Sequence, residues 1–219
     1  MYGLEQYPDA VGLLLRGCDL IYTWYLDKLL DLLPRSLRIV HVEHCEVGRA
    51  LFKTLGSTLP HLEGLSLSGS HVDEYRWARF PHLKILNVEK MRSILVEAIK
   101  PFRSQLLYLS FHGCVYSHDD MCHGLNSCVR LDLAHTRVSD AGLQTLLDKG
   151  APNLKMLLLD PRHRDSGRWT TAMAEKAQER GITVIHDAGY QTHVPAIEEC
   201  LRDHLCDSPQ LLKYAKYVL

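Results

Sequence analysis

Apolar residues in this chain return in a fixed rhythm instead of in blocks. The segments LEGLSLSGSHV (62–72), LKILNVEKMRSI (83–94), LLYLSFHGCVY (106–116), VRLDLAHTRV (129–138) and LKMLLLD (154–160) share one skeleton. It runs apolar, two variable, apolar, one variable, apolar, and three residues later a small or polar side chain. AVGLLLRGCDL (10–20) and LRIVHVEHCEV (37–47) fit the same frame. The last motif position falls on Cys18, Cys45, Ser70, Met91, Cys114, Thr136 and Arg162, at spacings of 27, 25, 21, 23, 22 and 26 residues. Seven matches at near-constant spacing predict a repeat architecture.

The alternation inside each motif predicts a short strand, because strand side chains point to opposite faces in turn. The pairs Leu13/Leu15, Val40/Val42, Leu65/Leu67, Leu86/Val88, Leu109/Phe111, Leu131/Leu133 and Leu157/Leu159 then share one side, and all fourteen are apolar. One repeat cannot cover such a side alone; stacked neighbours can, which predicts a parallel sheet in a quasi-one-dimensional fold. Several return segments have helical spacing. Residues 139–150 offer Ser139 as N-cap, Leu143, Leu146 and Leu147 as an apolar face, and Gly150 as a stop. Residues 22–33, 48–59 and 170–180 read the same way, whereas 73–80 has room for no more than a turn or two. A last strand at 182–186 closes the sheet. The expected organisation is a solenoid over 1–189 and a tail over 190–219. The tail reads as two short helices that begin at Pro195 and Pro209 and either cap the last apolar layer or dock a partner.

With Cys18, Cys45 and Cys114 at the last motif position and Val138-Ser-Asp-Ala-Gly-Leu143 ahead of a return helix, the chain resembles the leucine-rich-repeat superfamily over roughly 8–187. It is most similar to cysteine-containing repeats of the F-box and ribonuclease-inhibitor type, and also to short mitochondrial assembly-factor arrays. The resemblance implies an α/β right-handed solenoid, with a parallel sheet on the concave face, helices or turns on the convex face, and a helical C-terminal cap. It also implies a non-catalytic protein-interaction module or scaffold, with a structural subunit or assembly factor of a large intracellular complex (mitochondrial or axonemal) as the alternative. Ser70, Met91, Thr136 and Arg162 depart from the family's Asn or Cys. Met91 and Arg162 are expected to make the stack irregular at their turns. No F-box segment is recognisable, so a ubiquitin-ligase role is not carried over.

Charge changes the picture little. Lys and Arg number 25 against 26 Asp and Glu, a formal charge of -1. This gives no global field for nucleic acid or an anionic membrane. No apolar run is long enough to insert in a membrane. The start has no secretory layout, and the seven cysteines are odd in number. Reduced thiols and an intracellular site follow as expectations, cytoplasmic first and mitochondrial as the alternative.

Candidate chemistry is sparse. Cys114, His118, Cys122, His123 and Cys128 have zinc-like spacings, but the frame points Cys114, Cys128 and His112 in three directions, so no metal is expected. Asp119 and Asp120 read as caps near a helix start. His41 and His44 flank Cys45, yet Cys45 should lie inside while His41 faces the concave side, so a Cys–His nucleophile is not expected. No phosphate loop, G-x-S-x-G or H-E-x-x-H occurs; neither an enzyme nor a cofactor is expected. The concave surface remains, where the outward positions include Arg16, His41, Glu43, Asn87, Glu89, His112, Asp132 and Asp160. This acidic and polar face suits a protein partner, with Tyr108 and Trp169 as aromatic anchors. Arg162, Arg164 and Trp169 could add area at the edge, and are the only place for RNA contact.

Overall fold

The computed structural model describes residues 9–20, 32–47, 49–72, 80–91, 96–115, 118–161 and 169–186. Each motif forms one strand of a parallel sheet. The strands are β1 (Gly12–Arg16), β3 (Ile39–Glu43), β5 (Gly64–Ser66), β7 (Ile85–Asn87), β8 (Tyr108–Ser110), β9 (Arg130–Asp132), β10 (Met156–Leu158) and β11 (Thr183–Ile185). They pair in the order β1-β3-β5-β7-β8-β9-β10-β11. A second sheet that the motif did not announce joins β2 (Asp19–Leu20), β4 (Glu46–Val47) and β6 (His71–Val72), just beyond the turns of the first three repeats.

The register is the same at every step. Leu13, Val40, Leu65, Leu86, Leu109, Leu131, Leu157 and Val184 stand side by side across eight strands. From Val40 to Leu157 none of these is more than 1% exposed. The second inward row, from Val42 to Leu159, is fully buried, whereas Leu13 and Leu15 are half-buried because β1 has no described neighbour on its outer side. A one-residue slip of any strand would turn both rows outward, so burial fixes the register.

After six of the eight strands, β1, β3, β5, β7, β8 and β9, the turn holds a left-handed residue: Gly17, His44, Gly69, Lys90, Gly113 and His135, with φ between 51° and 68°. In the first five the N–H donates to a carbonyl of the next repeat, as from Gly17 to Glu43 O (2.9 Å) and from Gly113 to Ala134 O (2.9 Å). The small residue that follows faces inward and ties adjacent turns together. The Cys18 N–H donates to Cys45 Sγ (3.2 Å), the Cys45 N–H to Ser70 Oγ (3.1 Å), and the Cys114 thiol to Val88 O (2.9 Å). The Met91 side chain cannot make such a bridge, but the expected irregularity does not occur there. Its side chain is buried in the core, and β5, β7 and β8 pair without a break. An unbranched thioether fills the space that a smaller residue would leave. Arg162 lies outside the described residues.

The convex side is helical where the spacing is helical. Helix α1 (Arg49–Thr58) buries Leu51 and Leu55. Helix α2 (Val96–Ile99) is a single turn, and 3-10 turns occupy Arg103–Gln105 and Asp119–Cys122. Helix α3 (Asp140–Thr145) runs on into a π turn at Leu146–Gly150, and together they bury Leu143, Leu146 and Leu147. Helix α4 (Thr171–Glu179) is capped by Thr170 and buries Met173 and Ala177. Segment 22–31, segment 73–79 and the tail 190–219 lie outside the described residues.

Two close approaches lock the repeats at α3. Asp119 reaches into the next repeat, where its carboxylate accepts from the Ser139 N–H (2.8 Å) and hydroxyl, while Ser139 Oγ accepts from the Gly142 N–H (3.2 Å). A Cβ on Gly142 would sit 2.4 Å from Asp119 Oδ1, and one on Gly150 would meet Cys122 O at 1.9 Å. Gly150→Ala should therefore destabilise the fold by roughly 1–3 kcal/mol or more through overpacking. Denaturant unfolding would measure it, and wild-type stability would refute the packing. In the same assay Leu131→Ala should cost about 2–5 kcal/mol, from lost transfer energy and the cavity left behind; a cost below about 1 kcal/mol would mean that Leu131 is not core.

Candidate functional site

The sheet's outward face carries three rows set by the shared register. The first includes Ile39, Ile85, Tyr108, Arg130 and Met156. The second runs through Leu14, His41, Ser66, Asn87, Ser110, Asp132 and Leu158, and the third through Arg16, Glu43, Glu89, His112 and Asp160. This face is not evenly open. Leu14 is 56% exposed, and Arg16 is exposed beside it. Ser66, Tyr108, Arg130 and Asp132 are at most 1% exposed, and Asn87, Ser110 and Asp160 are also buried. The N-terminal end and the rim of turns are the accessible parts.

Over the middle, the polar side chains terminate strands. The Asn87 and Asp132 carboxamide and carboxylate oxygens accept from the N–H two residues on, at Glu89 and Ala134 (2.9 Å each), and Ser110 Oγ accepts from His112 (3.4 Å). Each satisfies a donor left over where the chain turns off the sheet. The Arg130 guanidinium lies over the Tyr108 ring, 4.3 Å from its centroid. Tyr108 thus acts as an internal platform for a cation.

The acids of the third row are matched one by one. Glu43 accepts from Arg16 Nε (2.7 Å) and lies 3.7 Å from His44 Nε2; Glu89 pairs with Lys90 Nζ at 2.7 Å. His112 Nδ1 is 3.7 Å from Asp132, and His135 Nδ1 is 2.8 Å from Asp160. The two imidazoles meet edge to face with centroids 5.0 Å apart. Burial acts to lower the His112 pKa, but Asp132 and then Glu89 outweigh it, so the net direction is upward. At His41 burial is the largest cause and the net direction is downward, against the pull of Glu43.

His44, Lys90 and His135 occupy the left-handed turn position and were not counted among the concave residues in the motif analysis. Arg130 was missed as well. The signal was available: motif position three shares its side with five and seven, and the turn residue follows directly after the third row.

The cysteine-histidine candidates do not assemble. Cys114, Cys122 and Cys128 are fully buried, and burial pushes the Cys114 and Cys122 thiols up to about 12. The Cys128 thiol donates to Arg130 O (3.2 Å), and His118 and His123 are exposed. Among the described residues no three His, Cys, Asp or Glu side chains converge on a metal-sized space. Cys45 is buried, with its thiol directed at Glu43 O (3.3 Å), and burial raises its pKa, so it is not a thiolate activated by His41 or His44. Arg162 and Arg164 lie outside the described residues. Trp169 is half-buried, packed on the core and edge to face with His186 at 5.5 Å.

No protein-family model matches the sequence, and no curated protein matches it. Solved structures do match. The fold is similar to TLR13 in a TLR13–ssRNA13 complex, with a TM-score of 0.52 and 16% identity over 72% of this chain and 22% of that one. It is also similar to an internalin, inlF, from Listeria monocytogenes, with a TM-score of 0.48 and 12% identity over 83% of this chain and 62% of that one. The chain therefore spans a minor part of TLR13 and less than two thirds of the internalin. No helix among the described residues is long and apolar enough to cross a membrane. The unbroken parallel register and the likeness to TLR13 give this protein a leucine-rich-repeat-like α/β fold.

Proposed function

We propose that this protein is a non-catalytic protein-interaction module, with repeats of the cysteine-containing F-box and ribonuclease-inhibitor type. The observation that carries the reading is the exposed end of the concave sheet. There Leu14 stands in the open on a strand between the half-buried His41 and the Arg16–Glu43 ion pair. An apolar contact ringed by matched charges, on a backbone already fixed by buried neighbours, loses little entropy when a partner docks. The surface extends along the turn rim to Glu89 and Lys90. Buried thiols at Cys114, Cys122 and Cys128 support an intracellular site, where the partner belongs to a larger complex. RNA is the weaker partner: on this rim Arg16 and Lys90 are already neutralised by Glu43 and Glu89, and Arg130 is buried.

Affinity capture from native extract with quantitative mass spectrometry tests the surface. Glu43→Lys combined with Glu89→Lys reverses two rim charges, and should weaken capture several-fold and change its salt dependence; Leu14→Ala should weaken it without changing the salt dependence. If all three substitutions leave capture unchanged in a folded protein, the partner uses the convex side. Purified protein should also hold no stoichiometric zinc. One zinc per chain, lost on Cys122→Ser, would contradict the closed, neutral thiols described above.

A further inference from the structure

The described cysteines fall into two groups. Cys114, Cys122 and Cys128 are sealed in the core; in the inward ladder Cys114 stands between the rungs of Met91 and Thr136, neither of which is a thiol. Cys18 and Cys45 occupy the first two rungs of that ladder, in adjacent turns. Register brackets them on both sides: Arg16 pairs with Glu43 before them, and Asp19 pairs with Glu46 after them. Cys18 therefore stands opposite Cys45 at the spacing of paired strands, about 4.8 Å. That is within the roughly 4.4–6.8 Å of Cα separation that a disulfide spans.

The side chains share one layer. Cys45 Sγ accepts from the Cys18 N–H at 3.2 Å, the Cys18 thiol donates to Arg16 O (3.4 Å), and the Cys45 thiol donates to Glu43 O (3.3 Å). Cys18 is partly exposed, whereas Cys45 is 2% exposed. The next rung is Ser70, so Cys45 has a sulfur neighbour in the ladder on one side alone.

We propose that Cys18 and Cys45 form a reversible disulfide that clips the first repeat to the second. A hydroperoxide reaches the accessible Cys18, whose sulfur takes one oxygen as the O–O bond breaks; with hydrogen peroxide this yields a sulfenic acid and water. The Cys45 sulfur then attacks the Cys18 sulfur. The S–S bond forms and hydroxide leaves, taking up the Cys45 proton as a second water. Two thiols lose two electrons and two protons to the peroxide, and an external dithiol that is itself oxidised reverses the change. The bond crosses two strands whose side chains run parallel, a geometry less relaxed than that of a structural disulfide, which favours easy reduction. Burial raises the Cys45 pKa, the Cys18 amide lowers it and the Cys18 side chain raises it again, with a net upward shift. The second step should thus quicken as pH rises. Closing the clip fastens β1, the strand with half-buried Leu13 and Leu15 that presents Leu14 and Arg16. The pairing rests on register and not on the surface proposed above, so either can fail alone.

Peptide mapping of the full chain tests it. The protein is treated with hydrogen peroxide, blocked with N-ethylmaleimide and digested with trypsin without reduction. Residues 17–28 hold Cys18 as their one cysteine, and residues 39–49 hold Cys45. The expected product is these two peptides linked, two hydrogens lighter than their sum, and separated by dithiothreitol. Ser70 already serves as a rung, so Cys18→Ser and Cys45→Ser should both fold, as circular dichroism would check. The link should vanish in both, and in Cys45→Ser peroxide should carry Cys18 on to the sulfinic acid. Recovery of Cys18 as the maleimide adduct after peroxide, or its linkage to any other cysteine, would overturn the proposal.

Discussion

Equal register between neighbouring turns is the constraint on which everything else in this molecule depends. A strand of three to five residues cannot hold itself extended, and its apolar pair cannot be covered by its own repeat. Stacking solves both problems at once, but only when Val40, Leu65, Leu86, Leu109, Leu131 and Leu157 fall side by side. Once they do, six of the eight strands leave the sheet through a residue in the left-handed region. His44, Lys90 and His135 accept that conformation at a cost of about 1–2 kcal/mol each. Cross-turn hydrogen bonds from their neighbourhood and burial of the residue that follows offset it.

The same constraint divides the concave face. Parallel neighbours leave backbone donors open where the strands stop, and Asn87, Ser110 and Asp132 fold their side chains back to fill them. These residues look like a recognition surface in the sequence and act as internal terminators in the structure. Arg130 over Tyr108 extends this inward-looking middle. What stays open is the end where β1 has no described outer neighbour, together with the line of turns carrying Glu43, His44, Glu89 and Lys90. The charged side chains there stand as matched pairs instead of an acidic stripe.

Most of the fold was legible because the motif is redundant. Seven copies of one frame fix strand position, facing and order, and the helical spacings at 48–59, 139–150 and 170–180 were plain for the same reason. The π turn at Leu146–Gly150 was not, since it reflects Gly150 lying against Cys122 O and not any local preference. The second sheet escaped notice because two-residue strands have no period. The site was less legible than the fold. Alternation says which way Asn87, Asp132 and Tyr108 point, but whether that side is covered depends on distant parts of the chain. The partners of the acids, His44, Lys90 and His135, sit at a turn position whose rotation into the left-handed region brings them beside the acids, and a strand template does not represent it. Met91 shows the opposite error: the side chain is wrong for the ladder but right for the core behind it.

Hydroxyl-radical footprinting with peptide mass spectrometry tests the central claim, that the inward rows and the middle of the concave face are sealed while its N-terminal end is open. Leu14 and His44 should be modified readily, whereas Tyr108, Met156 and Leu158 on the same face should be protected to the level of core residues such as Phe111. Modification of Tyr108 and Met156 as fast as that of His44 would contradict the account, because it would show an open concave face over its whole length.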